Sequence, residues 1–423
     1  MNNAVKARIS AETCIKLLRK RFGGNFADDG FWADICFNLN SQSACPWTHK
    51  LYDVLREELF YRALMLQKAF VLGSNGVKQN LNRLFDMWDG RFGAEDRKTA
   101  YGTLVNTLFF VIPAISTTFA SARTFLDGVA PGKLGVMIVD EAGQATPQSV
   151  LGALWRTRKA IIVGDPLQVE PILTTPPILC KWFADEYGLP AVYKAPDLSV
   201  QTLADAQNPY GGYREAGGAQ LWLGCPLIIH RRCIEPMFGI SNRLAYNERM
   251  FCRTDPPSPG KLFMLGKSAW FDIAGIETGN KDHTVKEQII LAERLFNDFI
   301  VQSGRLPDVY FITPFISVKR SIEKALRHTL RACMPEMDEN NIDFWIGERC
   351  GTIHTFQGKE TDEVLLVMGC DNQKGLGAAR WVGQKPNIMN VAVSRARYRI
   401  GVIGDYKLWI TIPYVNLLCE LLG

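Results

Sequence analysis

Residues 134 to 172 constrain this chain more than any other stretch. Two short apolar runs, Val136 to Val139 and Ala160 to Val163, each end in an acidic turn, the first at Asp140-Glu141 and the second at Gly164-Asp165. Runs so short and so rich in Val and Ile are expected as strands buried on both faces of a parallel sheet. The second turn follows the first by about 25 residues, a length that suits one β-α-β unit. In open sheets of that kind ligands bind beyond the carboxyl ends of the strands, where both acidic turns would sit. A lone Asp-Glu pair is more ordinarily a polar strand end leading into a helix cap. The second strand, with Gly164-Asp165 and Gln168 at its tip, turns the expectation toward a ligand site.

Val139-Asp140-Glu141 has the form of a Walker B element, in which the Asp holds the Mg²⁺ of a bound nucleotide and the Glu polarises a water aimed at the γ-phosphate. The rest of the composition permits such a site without demanding it. At 423 residues the chain has room for roughly two to three domains with cores of their own. Hydrophobic content of 47% and charged content of 22% are ordinary for a globular protein. A net charge of +5 allows a polyanionic partner, although a local patch matters more than a total. The 11 cysteines are scattered, with no Cys-x-x-Cys pair and no Cys/His cluster at zinc spacing. That pattern favours a reducing compartment and speaks against a structural metal. No apolar stretch reaches the ~20 residues that cross a bilayer, and no signal-peptide core opens the chain. A cytoplasmic location, away from membranes, is expected.

Residues 1 to about 100 are expected to be helical. Ala11 to Phe22 forms an amphipathic segment with a basic flank, and Leu51 to Leu72 repeats apolar residues at three and four, the helical period. The basic residues there read first as a solvated helix face and second as nucleic-acid contacts. Glycine and aspartate between Asp86 and Asp96 predict a loop. Leu104 to Ser116 is apolar and β-branched, so a strand is expected, followed by a hydroxyl-rich turn at Ser116-Thr117 that leads into a helix. Such a turn suits a nucleic-acid phosphate, and it equally suits a plain N-cap. Residues 174 to 222, rich in Pro, Gly and Tyr, show no period and predict a long irregular connection. A second α/β unit follows, with strands at Val309–Phe315, Cys350–Ile353, Val364–Met368 and Ile400–Ile403, and helices at Ser317–Arg331 and Ile388–Arg397.

Taken together, Asp140-Glu141-Ala142-Gly143-Gln144, Gly164-Asp165-Pro166-Leu167-Gln168, Arg231-Arg232 with Pro236, Thr313-Pro314-Phe315, Thr355-Phe356-Gln357-Gly358-Lys359-Glu360 and Asn390 to Arg397 occur in that order. Over residues 104 to 405 these blocks resemble motifs II, III, IIIa, IV, V and VI of the superfamily 1 helicases, with the nearest likeness to the Upf1-like, DNA2/NAM7 type. The resemblance implies an α/β protein with two RecA-like, P-loop NTPase-type domains, the first incomplete, and an N-terminal helical region. The implied bounds are 1–103 for the helical insertion, 104–220 for the remainder of the first RecA-like domain, and 221–423 for the second. It further implies ATP and Mg²⁺ as cofactors, held in a cleft between the two domains, and single-stranded DNA or RNA as partner, with 5′ to 3′ polarity. Residue by residue, Asp140 would hold Mg²⁺ and Glu141 would activate water. Gln168 would sense the γ-phosphate, and Arg232 and Arg395 would be arginine fingers. Asp165, Gln357, Gly358, Glu360 and Arg397 would serve nucleotide binding, Glu360 through the ribose hydroxyls. Thr313, Pro314 and Thr355, with Ser116 and Thr117, would face nucleic acid. An arginine finger is worth about 10³ to 10⁵ in rate, because positioned positive charge is what a loose phosphoryl-transfer transition state gains from most.

Three departures from the family pattern bear on function. Glu170 stands where a proline is usual. The Arg232 block sets its proline one residue late, which leaves Arg231 a rival for the finger. No Gly-x-x-x-x-Gly-Lys-Ser/Thr occurs in the 423 residues, although that loop supplies most of a phosphate cradle and one Mg²⁺ ligand. The resemblance therefore implies the motor half of a truncated, longer helicase, partnered by an upstream polypeptide that carries the P-loop, or else a catalytically inactive nucleic-acid-binding pseudo-ATPase or a degenerate helicase fragment. No nuclease or zinc module is expected after residue 405.

Overall fold

The computed structural model describes all residues except 1, 24–25, 34–37, 47, 169, 174, 191–192, 194–197, 217–218, 280–281 and 357. The chain divides into two compact units, residues 1–137 with 148–161, and residues 138–147 with 162–423. Among the described residues no helix is long and apolar enough to cross a membrane.

The first unit is mostly helical, with long helices at Asn2–Phe22, Lys50–Gly73, Asn75–Trp88 and Ala94–Val111. Its core gathers Leu84, Met87, Tyr101, Leu104, Val105, Leu108, Ala122 and Leu126. The strand expected from Leu104 onward is therefore a correction: Leu104 to Val111 is the end of a helix. Leu104, Val105 and Leu108 follow the helical spacing and pack on Leu84 and Met87, so tertiary burial overrides the β-branched composition. Its start is set where Asp96 accepts the Gly93 N–H at 3.3 Å. The short helix Phe119–Phe125 is capped by neither Ser116 nor Thr117 but by Thr118, whose hydroxyl accepts the Ser121 N–H.

The strands β1 (Leu134–Val139) and β2 (Thr157–Ile162) pair with each other as a two-stranded sheet. Their hydrogen bonds advance in step, from Leu134 N–H on Arg156 O at 2.9 Å to Val163 N–H on Val139 O at 2.8 Å, the parallel register expected. Burial on both faces is not found. Val136, Ile138 and Ile161 are 56%, 68% and 51% exposed, because among the described residues these strands pair only with each other.

Residues 174 to 222 also differ from expectation. They hold helices at Pro177–Glu186 and Val200–Gln207 and an antiparallel hairpin of β3 (Gly211–Ala216) and β4 (Ala219–Gly224). Tyr213 opposite Trp222, with ring centroids 5.0 Å apart, supplies a cross-strand contact of the kind that stabilises such pairs. Short strands β5 (Ile229–His230) and β6 (Phe251–Cys252) pair parallel.

The second unit is built on a five-stranded sheet. It contains β7 (Ala269–Asp272), β8 (Val309–Thr313), β9 (Cys350–Thr352), β10 (Thr361–Val367) and β11 (Ala396–Gly404), in the order β7-β11-β10-β8-β9. All four pairings are parallel. Central β10 is buried along its whole length, which is why its Val364-Leu365-Leu366-Val367 run is continuous rather than alternating. The helix Ile316–Cys333 lays Val318, Ile322, Leu326 and Leu330 into the core at spacings of four, one face of a helix. This mixed α/β architecture with a parallel sheet is the fold class expected from sequence.

Candidate active site

Every residue that meets here belongs to the second unit. Asp140 is exposed at the end of β1 and accepts the Glu141 N–H at 2.9 Å. Glu141 sits in the left-handed region, with φ 52°, and its carboxylate accepts Gln144 Nε2 at 3.1 Å. At the second acidic turn, Asp165 accepts the Leu167 N–H at 2.9 Å and Gln168 Nε2 at 3.1 Å, and the Tyr246 hydroxyl also donates to it. The two turns touch backbone to backbone. A Cβ at Gly164 would stand 2.8 Å from both Ala142 N and Gly143 N, and one at Gly143 would stand 2.7 Å from Asp165 O. Only glycine fits there.

The helix Asn387–Ser394 delivers the other half. Asn390 is fully buried and donates to Leu167 O at 3.0 Å and to the Tyr246 hydroxyl at 3.1 Å, while accepting from Ser241 Oγ at 2.6 Å. Asn387 donates to Gln168 O, and Lys385 pairs with Glu170 at 2.6 Å. Glu170, the position where a proline is usual, thus holds an ion pair. Beyond the helix, Arg395 is fully buried. It donates to Val391 O at 3.1 Å, Lys359 O at 3.0 Å, Ser394 Oγ at 3.1 Å and Gln168 Oε1 at 3.3 Å. Among the described residues no carboxylate lies within ion-pair distance of it.

Arg232 is fixed by the backbone of its own segment, where the Ile234 N–H bonds Arg397 O at 3.0 Å. Its Nε lies 3.4 Å from Glu360, whereas Arg231 is exposed. Burial and the charge of Arg232 push the Arg395 guanidinium down to about 10, against an upward pull from Glu141. The same Arg232, second to burial, helps push His230 down to about 4. Gly358, at φ 75°, lies where an added Cβ would be 3.6 Å from Glu141 Oε1. Glu141, Gln168, Arg232, Gly358, Glu360 and Arg395 therefore share one neighbourhood, linked through Gln168 to Asp165. A buried cation without a carboxylate beside it is costly unless an anion arrives.

The remaining expected residues are placed differently. Arg397 is half-buried, with its guanidinium carbon 5.3 Å from the Tyr398 ring centroid and its Nε enclosed without a hydrogen-bond partner among the described residues. Thr313 is fully buried and its hydroxyl accepts the Phe315 N–H at 3.3 Å, while Pro314 is half-buried. Thr355 is exposed and its hydroxyl lies 3.0 Å from that of Thr352. Ser116 and Thr117 are exposed residues of the first unit. Gln357 lies outside the described residues. Tyr246, Asn387 and Asn390 hold the site together, and sequence alone does not single them out. The one signal was the position of Asn390 inside a block already quoted.

Two family models, each described as an AAA domain, match residues 93–176 and 229–407. The chain is 22% identical over 289 residues to Regulator of nonsense transcripts 1 of Dictyostelium discoideum, covering 67% of this chain and 19% of that protein. It is 24% identical over 337 residues to the human RNA helicase Mov10l1, covering 72% of this chain and 25% of that protein. The chain thus spans about a fifth to a quarter of the length of these relatives. Among solved structures, the Arterivirus nonstructural protein 10 (helicase) matches with a TM-score of 0.30 and 14% identity, over 65% of this chain and 40% of the other. The same protein in complex with DNA matches at 0.31 and 11%, over 66% and 42%. With AAA-domain models matching on both sides of the sequence, in order, and helicase relatives aligned across them, this chain belongs to the Upf1-like superfamily 1 helicases.

Proposed function

We propose that this chain is the motor portion of an ATP-dependent helicase or translocase that acts on single-stranded DNA or RNA in the cytoplasm. One observation carries the proposal: Arg395 is a fully buried cation, bonded to Gln168 and near Glu141, with no carboxylate partner among the described residues. Such a charge is poised for an anion, and the donor set around it fits a magnesium nucleotide. Exposed Asp140 would hold Mg²⁺. Gln357, Gly358, Glu360 and Arg397 would bind the nucleotide. When bound, Mg²⁺–ATP supplies the γ-phosphoryl group and the electrophilic phosphorus.

The chain's own groups then divide the work. Glu141, its carboxylate tethered by Gln144, orients the attacking water and takes its proton. Gln168 is held through Nε2 by Asp165, so its carbonyl oxygen stays on Arg395 and reports the state of the γ-phosphate site. Arg395 and Arg232 stabilise charge on the transferring oxygens; planar guanidinium suits that task because it can make two bonds to one phosphate. Ser116, Thr117, Thr313, Pro314 and Thr355 would contact the nucleic-acid strand, Thr313 only after its segment moves, since its hydroxyl is enclosed. The phosphate cradle would come from an upstream polypeptide outside these residues.

A second possibility, a nucleic-acid-binding pseudo-ATPase, is favoured by the absence of Gly-x-x-x-x-Gly-Lys-Ser/Thr from the sequence. Single-turnover ATP hydrolysis with and without single-stranded nucleic acid separates the two. Strand-stimulated hydrolysis that Arg395→Ala abolishes supports the motor. Strand binding without hydrolysis, even when a polypeptide carrying a P-loop is added, supports the pseudo-ATPase. Vigorous hydrolysis by this chain alone would refute the need for a second polypeptide.

A further inference from the structure

Glu277 and His283, six residues apart, meet the distant Cys370 in the second unit, and their ligand atoms all lie within 4.8 Å of one another. Glu277 is 4% exposed and Cys370 fully buried. His283 is half-buried, with its ring 4.6 Å from the Phe315 ring, centroid to centroid. The backbone is held tightly here. Cys370 N–H bonds His283 O at 2.9 Å, and a Cβ at Gly369 would stand 2.3 Å from that oxygen. Both His283 and Cys370 adopt left-handed backbone, at φ 55° and 61°, which non-glycine residues rarely do outside constrained sites.

Hydrogen bonds explain part of this cluster. Glu277 accepts the His283 N–H at 3.2 Å and the Asp371 N–H at 3.4 Å, and donates its own N–H to Asp371 at 2.9 Å. Asp371 spends its other oxygen on the N–H groups of Gln373 and Gly375, at 2.9 and 3.2 Å. These bonds do not explain the thiol, whose Sγ makes no hydrogen bond among the described residues. Nor do they explain His283 Nδ1, which stands 3.4 Å from Glu277 Oε1 at the edge of hydrogen-bond range. An imidazole nitrogen, a carboxylate oxygen and a sulfur facing one another make a donor set suited to zinc and too soft for magnesium or calcium.

We propose that Glu277, His283 and Cys370 form a binding site for a divalent cation of the zinc class, with three protein ligands and a fourth position open to water. An ordinary thiol keeps its proton near neutral pH, so the free site holds Sγ–H. Binding forms the metal–sulfur bond, breaks the S–H bond and releases that proton to solvent, with no change of oxidation state. The occupied site ties Glu277 and His283 to the segment that follows β10 and, through the His283–Phe315 contact, to Thr313-Pro314-Phe315. Sequence spacing could not reveal it, because His283 and Cys370 lie far apart in the chain.

The full chain, stripped with a chelator, is titrated with Co²⁺ as a visible stand-in. Expected are a thiolate-to-cobalt charge-transfer band saturating at one equivalent, release of one proton per cation, and loss of the band on adding Zn²⁺. Cys370→Ser removes the band. His283→Ala and Glu277→Gln each weaken binding by at least the about 10- to 100-fold that losing even an outer partner of a metal site costs. A band that survives Cys370→Ser belongs to other cysteines and overturns the proposal, as does no band at one equivalent of cobalt in the wild-type chain. Circular dichroism checks folding. Should Cys370→Ser unfold the chain, His283→Ala decides alone, and unchanged cobalt affinity in that variant overturns the site.

Discussion

Replacing Arg395 by methionine, similar in length and uncharged, is expected to lower stability while removing the response to nucleotide. A guanidinium held at about 10, well below its ordinary range, carries its charge at a cost of about 3 kcal/mol. The folded-state value lies below the unfolded one, so this cost vanishes only above the ordinary range and is felt in full once pH falls below about 10. At neutral pH the substitution therefore recovers it. Against that stand the lost bonds to Val391 O, Lys359 O and Ser394 Oγ, each at 3.0 or 3.1 Å, and each, because its donor is charged, contributing about 1.5–3 kcal/mol net. The longer bond to Gln168 adds little. The lost bonds outweigh the recovered cost by about 1–6 kcal/mol, so urea unfolding followed by tryptophan fluorescence should give a midpoint below the wild type's. ATP with Mg²⁺, added with whatever polypeptide completes the phosphate cradle, should raise the midpoint of the wild-type chain and not of Arg395→Met. A nucleotide-induced rise of the midpoint in Arg395→Met equal to that of the wild-type chain would refute the reasoning. Arg395 would then be a structural arginine whose charge its neighbours already satisfy.

Tyr246→Phe removes the hydroxyl that donates to Asp165 and accepts from Asn390; a loss of about 1.5–3 kcal/mol and faster amide exchange over residues 164–168 are expected, and unchanged exchange would show that the turn is held by other means. Glu363, in the middle of the sheet, accepts the Met264 and Leu265 N–H groups, and burial pushes its carboxyl up to about 7 from 4.5. Because the folded value is the higher one, its contribution is full below 4.5 and is lost as pH rises through about 7, a swing of about 3 kcal/mol; urea midpoints across that window should fall, and Glu363→Gln should flatten the fall. Gly164→Ala would drive a methyl to 2.8 Å from two backbone nitrogens that cannot swing aside. A cost of about 1–3 kcal/mol is expected by the same unfolding assay, and a neutral result would mean the two acidic turns are not in contact.

What the sequence made legible follows from how each element is buried. Val309-Tyr310-Phe311-Ile312 and Val364-Leu365-Leu366-Val367 are covered on both faces, so their apolar runs survive as continuous signals. The helix from Ile316 shows its period because one face is solvated. Leu104 to Val111 was opaque for the opposite reason: β-branched and aromatic residues take helical form there through contacts with Leu84 and Met87, which no local window contains. The hairpin at Gly211–Gly224 hid among prolines and glycines because its stabilising pair, Tyr213 and Trp222, is a cross-strand contact. Within the site, charged residues announced themselves by motif. Tyr246 and Asn390 did not, since a tyrosine and an asparagine inside apolar helical stretches acquire meaning only from what they touch across the fold.

The contact between Gly143 and Gly164 involves peptide groups alone. The peptide groups that meet there carry no net charge and no titratable proton, so salt and pH do not act on that contact directly. Salt that weakens the ion pairs around the two turns should accordingly leave amide exchange at Gly143 and Gly164 unchanged.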